Sequence, residues 1–297
     1  MFDKFVVFTI QAMAKRFRIN IDAYRPVAIS LAAVLSFCVQ AFSQPDWSKY
    51  FPKQTDFKAK LPRKENVWIF VLAGQSNMAG RGFVEPQDTM PNSRILTINA
   101  ANQIIIAKEP LHFYEPNLTG LDCGHSFANR LLRNLNKEIT ILLLPVAVGG
   151  SSSQQWLGDS LHRNVRLMSN FKKKVEAMRD YGIVKGILWH QGESDADTRN
   201  IAGYQGRLEK IFNEFRSYCG NTNIPILIGE LGSFSENQAQ WNLVNEAIHQ
   251  YGATDKNSIV ISTSDLKPKA DKIHFNSEGQ RLMGSRMAEK FLEFSKL

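Results

Sequence analysis

The sequence predicts an α/β fold in which a parallel β-sheet carries helices on both faces. Short runs of apolar, β-forming residues alternate along the chain with longer segments whose apolar residues recur at helical spacing. Strands and helices that alternate in this way are joined by right-handed crossovers, and such crossovers produce parallel sheets. The chain has 297 residues, 43% of them hydrophobic, which is enough for one large domain with a buried core.

Each element is predicted from its own pattern. The first strand ends at Gly74, because a turn-forming glycine closes a run of seven β-formers. The segment 100–122 contains Pro110, Pro116 and Gly120, and these breakers predict an irregular loop. The predicted strands are 67–73, 94–99, 139–148, 183–189, 224–231 and 258–262, and the predicted helices are 124–135, 161–181, 198–218, 238–250 and 277–294.

Residues 1–43 are predicted to be a secretory signal peptide. Four basic residues between positions 15 and 25 precede an apolar run over 27–39, and small residues at Ala41 and Ser43 suit cleavage after Ser43. An uncleaved anchor and a buried core helix are the alternatives, and Met13 is an alternative start. The prediction is a secreted or periplasmic protein with no membrane association after cleavage, in which 44–66 is an extended lead-in and 67–297 the domain.

Charge and cysteine usage exclude several classes of protein. The formal net charge is +8, and removal of residues 1–43 would leave +5. No Lys/Arg cluster is interleaved with aromatic residues, so a nucleic-acid partner is not predicted. No uninterrupted apolar run reaches 18 residues, which excludes a multi-span membrane protein. Cys123 and Cys219 have no C-x-x-C partner, so no thiolate metal site is predicted; whether they pair, and the oligomeric state, stay open.

Four segments that follow strands or precede helices carry unusual polar residues. They are 74–77, 120–126, 190–195 and 271–277. Loops that follow the strands of a doubly wound sheet gather at one edge, where such proteins bind their ligands. We therefore expect these four segments to converge.

The first and the last of these segments could form a nucleophile with its base. Ser76 lies just beyond a strand, where it is either the N-cap of a helix or a nucleophile. Asp271 and His274 are three residues apart, so the carboxylate could accept the imidazole N–H and fix its tautomer. The alternative is a polar turn before a helix that Asn276 or Ser277 caps.

The segment around Gln191 has two interpretations. His190, Glu193 and Asp195 are residue types that bind metals, but they lie on a glycine-containing loop and not at helical spacing, which disfavours a metal site. Alternatively, the Gln191 amide donates to an oxyanion while Glu193 orients a neighbour such as His274.

Gly124 could supply a further oxyanion donor. Its backbone N–H carries no obstructing side chain, so with the Ser76 N–H and the Gln191 amide it would make a three-donor oxyanion hole. The alternative for Gly124 is an ordinary glycine at a helix start.

Taken together, these segments resemble a known family of hydrolases. Gly74-Gln-Ser-Asn-Met78, Trp189-His-Gln-Gly-Glu-Ser194 and Asp271-x-x-His274-Phe275 look like the conserved blocks of the SGNH-hydrolase superfamily. They are most similar to its sialate O-acetylesterase and carbohydrate esterase family 6 (acetylxylan esterase) branch, as is the segment 146–152 with Trp156. Met78 stands where the lipase motif G-x-S-x-G has its second glycine, which counts against an α/β-hydrolase lipase.

The resemblance implies a flavodoxin-like, three-layer α/β/α fold with a parallel five-stranded central sheet. It implies removal of O-acetyl groups from sugars without a metal or cofactor. The catalytic residues it implies are Ser76 as nucleophile, His274 as base and Asp271 as its partner, with Glu193 as the alternative acid. The implied oxyanion donors are Ser76, Gly124 and Gln191, and the candidate substrate-binding residues are Gln75, Asn77, Arg81, Gly150, Ser151 and Trp156, the last of which has a core position as its alternative.

The function predicted from the sequence is therefore an exported serine esterase that deacetylates a carbohydrate such as acetylated xylan. The alternatives are a sialate O-acetylesterase, a catalytically silent glycan-binding protein on the same fold, and a lipid-acting hydrolase. An intact Ser76, Asp271 and His274 set disfavours the silent protein, because a binding module needs none of the three.

Overall fold

The computed structural model describes residues 47–58 and 60–297. The predicted signal peptide lies outside the described residues. The strands are β1 (Val67–Gly74), β2 (Ile95–Ile98), β3 (Ile104–Ile106), β4 (Thr140–Pro145), β5 (Leu161–His162), β6 (Val165–Arg166), β7 (Ile183–His190), β8 (Ile226–Gly229) and β9 (Ser258–Ile261). The helices are α1 (Ser76–Ala79), α2 (Gly124–Leu132), α3 (Ser153–Leu157), α4 (Leu167–Met178), α5 (Tyr204–Tyr218), α6 (Gln238–Thr254) and α7 (Ser277–Ser295).

The strand that precedes Ser76 lies at the centre of the sheet. The order is β3-β2-β4-β1-β7-β8-β9, and each of these strands is parallel to its neighbours except β3, which pairs antiparallel with β2. The predicted parallel α/β architecture is confirmed, but the sheet has seven strands and not five. Six of the seven correspond to the six predicted strand segments, and the seventh, the edge strand Ile104–Ile106, lies inside the segment predicted as an irregular loop.

Alternating side chains of the central strand enter two cores, one on each face of the sheet. Val67, Ile69 and Val71 pack with residues of α3, α4, α5 and α6. Phe70 and Leu72 pack with residues of α2 and α7. This period of two follows from strand geometry, and burial on both faces explains why the run is continuously apolar.

The predicted helix over 161–181 is wrong in its first six residues. They form a hairpin of β5 and β6, and α4 begins only at Leu167. The two turn residues, Arg163 and Asn164, have φ values of 46° and 63°, as a two-residue type I′ hairpin turn requires. The usual sequence signal for this turn is Asn-Gly or Asp-Gly, and this chain lacks it.

The lead-in segment extends the sheet beyond β3. Phe57 forms an antiparallel bridge with Ile105, and the Ile106 N–H donates to the Asp56 carbonyl at 2.8 Å. Within the described residues, no helix has the length and apolar character needed to cross a membrane. Cys123 and Cys219 are both free thiols.

Candidate active site

Three side chains from two distant segments form a continuous hydrogen-bonded chain at the carboxyl edge of the sheet. His274 Nε2 lies 2.9 Å from Ser76 Oγ, and His274 Nδ1 lies 2.9 Å from Asp271 Oδ2. Because the carboxylate accepts the Nδ1–H, the free Nε2 faces the serine hydroxyl as a proton acceptor. The structure thus brings together the predicted nucleophile, base and acid.

The backbone around Ser76 explains how the serine is presented. Gly74 has a φ of 132°, and a Cβ there would lie 2.1 Å from the His190 carbonyl oxygen, so only glycine fits this turn. The Gln75 N–H donates to the same carbonyl at 2.9 Å. The chain therefore leaves β1 sharply and places Ser76, which is 6% exposed, at the start of α1.

The Asp271 carboxylate organises its own loop as well as the imidazole. Its Oδ1 accepts the backbone N–H groups of Ile273 and His274, both at 2.9 Å. Burial opposes ionisation of Asp271, but the hydrogen bonds from the His274 side chain and these N–H groups outweigh it and hold its pKa below the ordinary value. Asp271 is therefore an ionised orienter near neutral pH.

Asn77, predicted to bind substrate, instead ties the serine turn to the histidine loop. It is 1% exposed, its Nδ2 donates to Glu193 Oε1 at 2.6 Å and to the Ile273 carbonyl at 3.1 Å, and its Oδ1 accepts the Phe275 N–H at 3.0 Å. These contacts hold the segment that carries Ser76 and the segment that carries His274 together. The Asn77 side chain is fully engaged by the protein, which contradicts the substrate-binding prediction.

Glu193 contacts Asn77 and not the His274 imidazole. Besides that bond, its Oε1 lies 3.7 Å from His190 Nδ1, and burial lowers the pKa of His190, which keeps that ring neutral. Of the two acids left open by the sequence, Asp271 is the one that contacts His274. Glu193 supports the site through Asn77.

Gln191 does not have a free amide to offer an oxyanion. It is completely buried, and its Nε2 donates to Asp195 Oδ2 at 2.5 Å and to Gln75 Oε1 and the Ser151 carbonyl at 3.2 Å each. The predicted oxyanion role of Gln191 is therefore corrected. Its amide joins the loops behind the serine into one buried network.

Gly124 is also excluded as an oxyanion donor by its surroundings. Its N–H donates to Asp122 Oδ1 at 2.6 Å. A Cβ at this position would lie 2.5 Å from Leu72 Cδ2 and 2.9 Å from Leu111 Cδ1. The glycine is needed where α2 packs against the sheet, so the alternative interpretation, a helix-start glycine, is the one that the geometry favours.

Four further residues predicted to line the pocket are buried in the protein. Gln75 Oε1 accepts from Gln191 and from the Ser194 N–H at 3.2 Å, and Ser151 Oγ accepts from Trp156 Nε1 at 3.0 Å. Trp156 packs edge-on against Trp189 and Phe215 in the core, and Arg81 is 8% exposed. The predictions that place Gln75, Ser151, Trp156 and Arg81 on the substrate are corrected.

Gly150 is the predicted pocket residue that does face open space. It is exposed with a φ of 74°, and a Cβ there would meet nothing closer than 3.7 Å. Val148 N–H and Ser151 Oγ both donate to the Gly74 carbonyl, at 3.2 and 3.1 Å, so the Gly150 loop lies beside the serine turn. The Gly149-Gly150 pair after a strand was the sequence signal for this position.

A buried carboxylate, Glu115, binds groups around the loop of Gly149 and Gly150. This residue was not predicted from the sequence. It accepts from Arg81 Nη2 at 2.9 Å, from the Gly149 N–H at 2.6 Å and from Arg163 Nη1. Burial raises its pKa, but the adjacent Arg81 guanidinium, with the other donors, holds that pKa below the ordinary value. Glu115 lies in a proline-containing loop that carries no recognisable motif.

The loop that carries His190, Glu193 and Asp195 shows no arrangement suited to a metal ion. His190 Nε2 donates to the Glu230 carbonyl at 2.9 Å, and Asp195 accepts from the Ser153 N–H and Oγ at 2.8 and 2.7 Å. Across residues 47–58 and 60–297, no group of three His, Cys, Asp or Glu side chains could hold such an ion.

Fold and site together define a class of protein, the α/β/α hydrolases with a Ser-His-Asp arrangement at the carboxyl edge of the sheet. The family model described as carbohydrate esterase, sialic acid-specific acetylesterase matches residues 66–293. The chain belongs to this carbohydrate esterase family. The family lies within the group of hydrolases that the sequence motifs resemble.

Individual relatives agree with this assignment. The chain is 30% identical over 246 residues to a probable carbohydrate esterase from Arabidopsis thaliana, covering 75% of this chain and 90% of that protein. The crystal structure of an A. thaliana protein gives a TM-score of 0.68 at 29% identity, with 77% and 98% of the two chains covered. NanS gives a TM-score of 0.63 at 17% identity, over 80% and 99% of the chains, and this likeness shows the shared fold.

Proposed function

We propose that this protein removes O-acetyl groups from a carbohydrate through an acetyl-enzyme intermediate on Ser76. The observation that carries the proposal is the hydrogen-bonded chain from Asp271 through His274 to Ser76, with 2.9 Å at both steps. Membership of a carbohydrate acetylesterase family supports an acetyl ester as the bond that is cleaved and a carbohydrate as its carrier. No metal or cofactor is needed for this chemistry.

The reaction follows from the positions of the three side chains. His274 Nε2 takes the proton of the Ser76 hydroxyl while Oγ attacks the acetyl carbonyl carbon. The resulting imidazolium, stabilised by Asp271, returns the proton to the sugar oxygen as the C–O bond to the leaving group breaks. Water then attacks the acetyl-enzyme with His274 again as base, and acetate leaves as Ser76 is regenerated.

The oxyanion formed at each step requires hydrogen-bond donors beside Ser76. The backbone N–H groups of Ser76 and Gly150 have no acceptor within the described part of the chain. Ser76 begins α1 directly after the turn at Gly74, and the loop of Gly150 is bonded to the Gly74 carbonyl. We assign these two groups as the oxyanion donors, in place of Gly124 and Gln191. Loss of one such donor raises a barrier by about 3 kcal/mol.

The direct test is acetate release by the full chain and by Ser76→Ala. We expect the variant to lose about 10³-fold or more of kcat on 4-nitrophenyl acetate and on acetylated sugars. Ser217→Ala, an exposed serine on α5, is the matched control and should be unchanged. Equal acetate release by wild type and Ser76→Ala would refute the serine mechanism.

The identity of the sugar requires its own comparison. Acetylated xylan is the first expectation from the sequence and O-acetyl sialic acid the second, and the description of the matching family favours the latter. Measuring kcat/KM on both substrates decides between them. Activity on neither sugar, with 4-nitrophenyl acetate still hydrolysed, would contradict the proposed carbohydrate substrate.

Export is part of the proposed function and rests on the N-terminal sequence pattern alone. The basic segment, apolar run and small residues before position 44 are typical of a secretory signal. We expect the mature protein to begin at Gln44 and to be found outside the cytoplasm. N-terminal sequencing of the protein purified from its natural host, after cell fractionation, measures both; a retained residue 1 or 13 would contradict this.

A further inference from the structure

The loop that carries the Gly150 N–H is a four-residue turn. The Ser151 N–H donates to the Val148 carbonyl at 3.3 Å, and Gly150 has a φ of 74°, whereas the φ of Gly149 is not positive. A positive φ at the third residue alone characterises a type II turn. In such a turn the peptide between the second and third residues, here Gly149 and Gly150, sets the direction of the Gly150 N–H.

The sequence of this turn does not determine that direction. Rotation of the central peptide by about 180° converts a type II turn into a type I turn, in which the bond between the first and fourth residues is kept. Glycine adopts positive and negative φ about equally readily, so a Gly149-Gly150 pair can take up either form. The Gly150 N–H would point in opposite directions in the two forms.

The bonds around the central peptide do not select one of the two forms. The Gly149 N–H donates to the buried Glu115 carboxylate at 2.6 Å, but this N–H belongs to the preceding peptide and keeps its place when the next peptide rotates. The Val148 N–H and Ser151 Oγ, which donate to the Gly74 carbonyl at 3.2 and 3.1 Å, hold the two ends of the turn. Selection therefore requires a contact to the central peptide itself.

His162 makes that contact. Its Nε2 donates to the Gly149 carbonyl at 2.9 Å, and within the part of the chain that the structure describes no other group donates to this oxygen. The C=O and N–H of a trans peptide point in opposite directions. A donor held on the carbonyl side therefore turns the Gly150 N–H to the other side of the loop.

The imidazole is itself held in the tautomer that this contact requires. Its Nδ1 accepts from Gln155 Nε2 at 3.3 Å, which leaves the proton on Nε2. The Gln155 amide is fixed in turn, because its Oε1 accepts the Ser152 N–H at 2.9 Å at the start of α3. His162 lies in the hairpin of β5 and β6, which Arg163 ties to Glu115. The ring is thus in place before a substrate binds.

We propose that His162 is a positioning residue for the reaction, which holds the Gly149–Gly150 peptide so that the Gly150 N–H faces the oxyanion formed when Ser76 attacks. His162 neither attacks the ester nor transfers a proton. A donor that is already oriented lowers the barrier because it need not reorganise in the transition state. This inference rests on the proposed function, in which Ser76 is the nucleophile and Gly150 supplies one of the two oxyanion donors.

The test uses two amide variants of the full chain that differ by one methylene group. In His162→Gln the amide nitrogen is as many bonds from the backbone as Nε2 is, so it can still donate to the Gly149 carbonyl. In His162→Asn the amide nitrogen stands at the place of Nδ1 and falls short of that carbonyl. Arg166→Gln, on the same hairpin and with its side chain bonded to the Asp159 carbonyl, is the control for disturbance of the hairpin.

Two measurements are made at a temperature at which thermal unfolding shows every variant to be folded. Acetate release from 4-nitrophenyl acetate gives kcat and KM separately. Inhibition by phenylboronic acid reports the oxyanion site, because the adduct of a boronic acid with a serine resembles the tetrahedral transition state.

We expect His162→Asn to lose about 10- to 100-fold in kcat, between the effect of one hydrogen bond and that of a whole oxyanion donor. Its KM should stay within about twofold of wild type, because the interaction is made in the transition state. His162→Gln should keep kcat within about threefold, and Arg166→Gln should match wild type. Inhibition by phenylboronic acid should weaken in His162→Asn by about the same factor as kcat and be retained in His162→Gln.

Three results would overturn the inference. They are a wild-type kcat in His162→Asn, equal losses in the two amide variants, which would make His162 a support of the hairpin only, and a change confined to KM, which would make it a substrate contact. Ser76→Ala, measured alongside, separates this inference from the proposed function. If Ser76→Ala is inactive and His162→Asn fully active, the inference alone fails; if Ser76→Ala is as active as wild type, the serine mechanism itself is wrong.

Discussion

Replacing Asp271 by asparagine tests which carboxylate orients His274. Asp271 contacts the imidazole directly, whereas Glu193 contacts Asn77. Asp271 accepts three hydrogen bonds at 2.9 Å, from the imidazole and from two backbone N–H groups. An asparagine can keep the two backbone bonds through its oxygen. It must then present an NH₂ group to Nδ1, which moves the imidazole proton to Nε2, so that no lone pair faces Ser76.

The size of the effect follows from what is lost. A hydrogen bond to a charged partner contributes about 1.5–3 kcal/mol, and the wrong tautomer adds a further cost. The Asp271 side chain is 39% exposed, so solvent screening reduces the total. We expect a loss of about 3–4 kcal/mol in transition-state stabilisation, or about 10²–10³-fold in kcat, measured as acetate release from 4-nitrophenyl acetate.

Glu193→Gln is the matched comparison for this prediction. The glutamine keeps an oxygen for Asn77 Nδ2, which now donates to Glu193 Oε1 at 2.6 Å, so the clamp between the serine turn and the histidine loop persists. We expect this variant to lose about tenfold or less. A greater loss of kcat in Glu193→Gln than in Asp271→Asn would refute the assignment of Asp271 as the acid.

Two further predictions concern stability. Trp156→Ala should lower the free energy of unfolding in urea by about 3–5 kcal/mol, because Trp156 is fully buried. Unchanged stability together with a raised KM for sugars would instead support the prediction that Trp156 contacts the substrate. Asp255→Asn should cost about 1 kcal/mol at pH 7 after screening, because Asp255 accepts from Arg216 at 2.7 Å and Ser258 at 2.7 Å. Burial opposes ionisation of Asp255, yet these partners hold its pKa below the ordinary value. The difference in unfolding free energy between wild type and variant should therefore shrink below about pH 3.9, the pKa of the unfolded chain, and vanish once the pH falls below the lower pKa of the folded protein. A pH-independent difference would contradict this.

The sequence predicts well those features that depend on local pattern. The apolar run before Gly74 and the spacing of Asp271 and His274 predict the central strand and the hydrogen-bonded dyad, because both are set by residues close together in the chain. Edge strand β3 is missed since three residues, Ile104–Ile106, are too few to show a period. The hairpin at Arg163 is missed because it lacks glycine.

Side-chain direction within a loop is what the sequence does not predict. Gln191 belongs to a loop at the correct edge of the sheet, yet its amide is turned inward to Asp195. Trp156 follows a glycine-rich loop but packs inward on Trp189. Gly124 is the first residue of α2, but its N–H already donates to Asp122 Oδ1. In each case the direction of the group is fixed by one particular partner, which can lie as near as two residues away, as Asp122 does from Gly124, and only the folded structure identifies that partner.

The loop that carries His274 lies near the end of the sequence, so the site can form only after almost all of the chain has been synthesised. The Ser76 hydroxyl and its base are 198 residues apart in sequence, and His274 directly precedes α7 (Ser277–Ser295). In the proposed mechanism the nucleophile is therefore synthesised long before its base, and an unfinished chain holds an unactivated serine. Recovery of esterase activity after unfolding would accordingly report the docking of the final helix, a step that secondary-structure signals alone do not resolve.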